Sequence, residues 1–133
     1  MLTAEGLRAD WPLTFQSGTI VGVGPHGRHS EIVEALPGMV LLPGFVNAHS
    51  HAFQRAFRGH VQWKKAGQND FWTWRDTMYR VANQLPPEGV EAISRLAFLE
   101  MAEAGITHVG EFHYLHHQVD GTPYDDPNEL ANR

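Results

Sequence analysis

An apolar run from Met39 to Ala48 ends in His49-Ser50-His51, and this stretch constrains the chain more than any other. Pro43-Gly44 lies inside the run and reads as a turn that leads into a buried strand. Side chains alternate faces along a strand, so His49 and His51 point the same way, roughly 6.6 Å apart along the chain. Two imidazoles on one face at a strand end have the spacing to hold one metal ion, because imidazole nitrogen binds zinc at about 2.0–2.1 Å. The plainer reading is two polar residues closing a strand.

The rest of the chain supplies a context for that strand. Thr19–Val23 is a short β-branched strand closed by a turn at Gly24-Pro25, and Ile32–Leu36 is a second candidate. Residues 1–38 form a small β unit with too few apolar residues for its own core, and 39–133 form the second region. Ala52–Phe57 suggests a short helix, Gly67-Gln68-Asn69 a loop, and Asn69 or Asp70 a helix N-cap. Phe71, Trp74, Met78 and Val81 make one apolar stripe over a helix at 70–84, with core packing the ordinary role of Phe71 and Trp74. Pro86-Pro87 opens a further helix along Val90, Ile93, Ala97, Met101 and Ala104, and Gly105 is suited to end it. Ile106–Phe112 then reads as a strand. Strand, helices, strand is the pattern of a parallel βα unit. The stretch from Asp120 to Pro127 is a loop, and 128–133 reads as the first turn of another helix. Two such strands do not close a sheet, so the chain reads as the opening third of something larger.

Composition removes several classes of function. The 133 residues contain no cysteine, which excludes disulfides, thiolate metal sites and a cysteine nucleophile. Any metal must be held by nitrogen and oxygen. A net charge of -5 argues against nucleic acid, since no basic stripe is available for phosphates. No apolar run reaches the ~20 residues of a membrane helix. The N-terminus has no signal-peptide pattern, so a cytoplasmic location is expected.

Polar residues gather just after the two strands: His49, His51 and Gln54 follow the first, and Glu111, His113, Tyr114, His116 and His117 accompany the second. In parallel α/β folds, sites form at the C-terminal ends of strands. Each residue also has a plain role. His116 and His117 suit a solvated loop, and His113 a polar strand end. Glu111, if buried, needs a hydrogen-bond partner whether or not it has a chemical task. Arg75 suits an exposed helix position, or a two-pronged clamp on a carboxylate. His26, His29 and His60 read as surface residues.

These segments carry a resemblance. Leu42-Pro43-Gly44-Phe45-Val46-Asn47-Ala48-His49-Ser50-His51 is similar to the first barrel strand of the amidohydrolase superfamily. With His49–Ala56, Phe71–Tyr79 and Gly110–His117, the chain from Leu42 onward resembles the formimidoylglutamate deiminases within that superfamily. Residues 1–38 carry little of the likeness. The resemblance implies an α/β fold: the N-terminal part of a (β/α)8 amidohydrolase barrel preceded by part of a small β-sandwich. It implies His49 and His51 as two of four ligands to a divalent zinc. Gln54 and Tyr114, with Arg75 as carboxylate partner, would contact the small-molecule substrate N-formimino-L-glutamate. The implied reaction gives N-formyl-L-glutamate and ammonia, a step of histidine degradation. The remaining ligands and the catalytic residues belong to later strands, so the isolated chain is expected to be inactive. A homodimeric parent stays open. The competing readings are a superfamily deaminase acting on a purine or pyrimidine ring, and a non-catalytic fragment.

Overall fold

The computed structural model describes residues 1–25, 33–61 and 71–133. The expected loop at 67–69, the N-cap at Asn69 or Asp70, and His26 and His29 lie outside these residues. The chain forms two compact units, Met1–Pro43 and Gly44–Arg133.

The first unit is made of short antiparallel pairs. β1 (Leu2–Thr3) pairs with β2 (Gly6–Leu7), and β3 (Leu13–Gln16) with β4 (Thr19–Val23). Gln16 faces Thr19, which leaves the two-residue loop Ser17-Gly18 with φ of 50° and 77°. Two positive φ angles give a tight hairpin turn whose twist matches that of the strands. β4 is the strand read at Thr19–Val23; its partner β3 was not anticipated. Gly24 has φ 86°, and a Cβ there would fall 2.7 Å from the Trp11 ring, so both backbone and space require glycine. The strand expected at Ile32–Leu36 is not formed over its described part, Val33–Leu36. Among the described residues, every buried apolar side chain belongs to the second unit.

The second unit is α/β. β5 (Phe45–Ser50) pairs in parallel with β6 (Ile106–Glu111). Between them come a 3-10 helix (Ala52–Phe57), α1 (Phe71–Ala82) and α2 (Pro87–Glu103). The strand read from Met39 begins only at Phe45, after the Pro43-Gly44 entry. Gly44 lies so close to the Thr107 side chain that any Cβ would clash, which lets the two strands start side by side. The expectation of a buried strand fails: Phe45 is 57% and Val46 68% exposed. Among the described residues β5 pairs with β6 alone, so its faces lack the cover that a wider parallel sheet receives.

The core is Phe53, Phe57 and Met78, with Trp74, Val81, Leu85, Tyr114 and Leu115 packed against it. The α1 stripe therefore runs Trp74–Met78–Val81. Phe71 departs from its core role, at 62% exposed, stacked edge-on to Trp72. In α2, Pro87 occupies the first turn, Val90 and Ala97 are buried, and Gly105 (φ 83°) ends the helix with its N–H on the Ala102 carbonyl at 2.9 Å. That is the left-handed helix end expected of glycine. Residues 127–131 form a single turn of the kind read from the sequence: Asp126 Oδ1 accepts the Asn128 N–H at 2.8 Å, as a helix cap does, and the Asn132 N–H donates to the Asn128 carbonyl at 2.9 Å.

Candidate functional site

The site is built where β5 ends. At the register shift between Asn47 and Ser50, Asn47 Oδ1 accepts the His49 N–H at 3.2 Å. Its Nδ2 reaches the Met101 sulfur of α2 at 3.7 Å, tying the strand end to the helix behind it. The chain then leaves the strand through His51, whose carbonyl accepts the Gln54 N–H and starts the 3-10 helix.

The two imidazoles converge. His49 Nε2 and His51 Nε2 are 2.9 Å apart, with rings edge-to-face at 87°. His51 Nδ1 lies 2.9 Å from the Phe112 carbonyl oxygen, at the end of β6. A carbonyl only accepts, so Nδ1 carries the proton and a neutral His51 presents a bare lone pair at Nε2. His49 Nε2–H then donates to it.

This donor set fits a divalent ion in part. Two nitrogens on a tetrahedral zinc with bonds near 2.05 Å sit about 3.3 Å apart, so the pair needs only a small outward movement. A backbone carbonyl that fixes the tautomer of a ligating histidine is the usual second partner in such sites. Among the described residues, no group of three or more His, Asp or Glu side chains is placed to hold a metal, so the two imidazoles alone do not complete a metal site.

Gln54 and Tyr114 meet beside this pair. Gln54 Nε2 donates to the Tyr114 hydroxyl at 2.8 Å, and Tyr114 O–H donates to the Met78 sulfur at 3.2 Å. The Tyr114 ring packs against His51 at 5.0 Å and Phe53 at 5.1 Å between centroids. Burial pushes the Tyr114 pKa up from its ordinary value near 10, with the Gln54 hydrogen bond opposing. Tyr114 is therefore a neutral donor at any physiological pH. It also lines a cavity of about 180 Å³ with Met78, Tyr79, Leu115 and Leu130.

Arg75 stands apart from this cluster. It lies one turn before Met78 on α1, and its guanidinium stacks on the Trp72 ring at 5.4 Å and the Tyr79 ring at 5.1 Å. Among the described residues it has no ion pair and no hydrogen bond to Gln54 or Tyr114. His113 Nε2–H donates to the Leu115 carbonyl at 2.7 Å, His116 and His117 are exposed loop residues, and His60 is exposed. None of these four joins the pair at His49 and His51.

Glu111 has half of the partner that the sequence demands. Its Oε1 accepts the Ala52 N–H at 2.8 Å, while its Oε2 is buried without a partner among the described residues. Sequence reasoning also missed a bidentate ion pair, Arg55 to Glu100 at 2.7 and 2.8 Å, which fastens the 3-10 helix to α2. The hydrogen bond from Arg55 holds the Glu100 carboxyl below its ordinary range, and burial opposes it. The 45-residue separation gives no local signal for this pair. The Phe112 carbonyl, being backbone, leaves none at all.

A histidine pair stands at the C-terminal end of a parallel strand, backed by a second strand that fixes one ring, which is where sites form in α/β folds. The sequence profile of the amidohydrolase family matches residues 40–129, and the chain belongs to that family. It is 49% identical over 96 residues to the formimidoylglutamate deiminase of Pseudomonas aeruginosa, covering 72% of this chain and 21% of that protein. The 8-oxoguanine deaminase of the same organism is 32% identical over 120 residues, 86% of this chain and 26% of the relative. A solved amidohydrolase from Brucella melitensis superposes with a TM-score of 0.78 at 36% identity, over 98% of this chain and 29% of that one. The chain thus spans between a fifth and a third of the length of these proteins.

Proposed function

We propose that this chain supplies two metal-ligating histidines and part of the substrate pocket of a deiminase that hydrolyses N-formimino-L-glutamate to N-formyl-L-glutamate and ammonia. The observation that carries the reading is the convergence of His49 Nε2 and His51 Nε2 at 2.9 Å, directly beside the Gln54–Tyr114 pair. The 49% identity to a formimidoylglutamate deiminase supports this substrate over a purine or pyrimidine ring.

In this reading Gly44–Arg133 forms the first βα units of a (β/α)8 barrel, whose sites lie at the C-terminal strand ends. Met1–Pro43 forms part of a small β-sandwich, and the enzyme is cytoplasmic. His49 and His51 hold a divalent ion, zinc, which when bound lowers the pKa of water toward neutrality and so supplies the nucleophile. The Phe112 carbonyl keeps the His51 lone pair aimed at the ion. Tyr114 remains protonated and, with Gln54, offers hydrogen bonds to the polar end of the substrate. Arg75, its guanidinium faces on two rings and its N–H edge without a carboxylate among the described residues, pairs with a substrate carboxylate. The general acid and base are not among these residues.

The test is ammonia release by the full-length protein from N-formimino-L-glutamate and, separately, from 8-oxoguanine, with metal content measured in parallel. Turnover of the dicarboxylate, lost together with bound zinc in His49→Ala and in His51→Ala, is the expected result. Wild-type metal content and rate in both variants would remove the ligand assignment. Preferred turnover of 8-oxoguanine would move the substrate to the ring class.

A further inference from the structure

We propose that Glu111 is a positioning residue for the histidine pair: from the end of β6 it fixes the Ala52 amide and, through it, the backbone that carries the His51 ring. The inference rests on the reading of His49 and His51 as metal ligands.

Three bonds hold residues 50–52 against residues 111–112. The Phe112 N–H donates to the Ser50 carbonyl at 2.9 Å. His51 Nδ1–H donates to the Phe112 carbonyl at 2.9 Å. The Ala52 N–H donates to Glu111 Oε1 at 2.8 Å. His51 is thereby pinned on both sides and through its ring. Ala52 is the first residue of the 3-10 helix, and the leading amides of a helix have no partner within it. A cap side chain serves the second or third amide of a helix, and His51 makes no side-chain cap bond, so the first amide, that of Ala52, needs an acceptor from elsewhere. Glu111 supplies that acceptor from another strand, 59 residues away.

Stability alone does not account for a glutamate there. Its Oε2 is buried and unpartnered among the described residues, and a carboxylate oxygen left unpaired is costly. Rules of local satisfaction are broken most often where function is served. What the glutamate adds is reach: it spans from the Ser50-facing position on β6 to the amide beyond His51, and so sets the imidazole against His49.

Two readouts in the full-length protein test this, neither of them turnover. One is the cobalt(II) affinity by chelator competition. The other is the His51 ring tautomer in metal-free protein, read from ring nitrogen shifts at a pH where the imidazole is neutral. Glu111→Met keeps the length and removes the acceptor; Glu111→Gln keeps an acceptor oxygen. Ala52→Pro removes the donor instead, at a helix position where proline is tolerated. The Met and Pro variants are expected to weaken cobalt binding about tenfold or more and to lose the pure Nδ1–H tautomer. The Gln variant is expected to stay close to wild type in both. Retention of the wild-type tautomer and affinity in Glu111→Met or in Ala52→Pro overturns the proposal, as does an equal loss in the Gln and Met variants. His51→Ala serves as the control: unchanged cobalt affinity there removes the metal reading, while the tautomer comparison still decides the role of Glu111.

Discussion

At the scale of single residues, chemistry and packing are carried by neighbours that divide the work. Tyr114 has its ring on His51 and Phe53 and its hydroxyl between Gln54 and Met78. In the proposed function, removing that hydroxyl in Tyr114→Phe, or the guanidinium in Arg75→Ala, deletes hydrogen bonds to the substrate but no metal ligand. Each is expected to lower kcat/KM for N-formimino-L-glutamate by about tenfold to a hundredfold, the equivalent of about 1.5–3 kcal/mol for a bond to a charged group. Steady-state kinetics with zinc analysis check this; a parallel loss of zinc would show that the residue shapes the metal site instead. Phe53, 2% exposed at the centre of the core, is the packing counterpart. Phe53→Ala is expected to cost about 3–5 kcal/mol in denaturant unfolding, because it leaves a cavity among Phe57, Met78 and Tyr114.

At the scale of elements, the 3-10 helix is the part that must be held still, since it follows directly on His51 and carries Gln54. Its clamps are Arg55 on Glu100 from behind and Glu111 at its start. The depressed carboxyl of Glu100 gives a signed pH dependence. A carboxyl whose folded pKa lies below its unfolded value stabilises the fold above that unfolded value, near 4.5, and the contribution is lost as pH falls through the folded pKa. Wild type is therefore expected to lose melting temperature on acidification below that point more steeply than Glu100→Gln. Thermal scans at a series of pH values measure it, and parallel curves for the two proteins would assign the acid sensitivity elsewhere. The pair is partly exposed, so its effect is modest and falls with added salt. The start of β5 makes the steric prediction: Gly44→Ala forces a Cβ into Thr107, and the double variant with Thr107→Ser is expected to recover part of the lost stability.

At the scale of the whole molecule, apolar residues stand uncovered on both strands and on α2. Phe45 and Val46 lie on β5 and Val109 on β6, and Leu96 and Leu99 lie along the helix. Exposed apolar surface of this kind marks interfaces or association. Residues 1–133 are expected to bind an apolar dye and to sediment faster as concentration rises. A concentration-independent sedimentation coefficient with no dye binding would show these faces to be covered in solution.

How much of this was legible depends on how local each cause is. The pair at His49 and His51 is local: alternation at a strand end puts both rings on one side, while their 2.9 Å approach comes where the chain leaves β5 after Ser50. Gly105 as a helix end, Pro87 in a first turn and the strand at 106–111 follow from backbone preferences carried by one or two residues. The burial of β5 was not legible, because an apolar run states what a strand can bury and not what covers it. The same limit put Phe71 in a core that it does not join. The sequence by itself determined the order of the elements from β5 to β6, the donor types at the strand end and the exclusion of thiolate chemistry. The tertiary structure alone decided which lone pair of His51 is bare, which carboxylate holds the Ala52 amide and which arginine meets Glu100. Each of these joins atoms from residues 45 to 61 positions apart, where only the packed fold sets the distance.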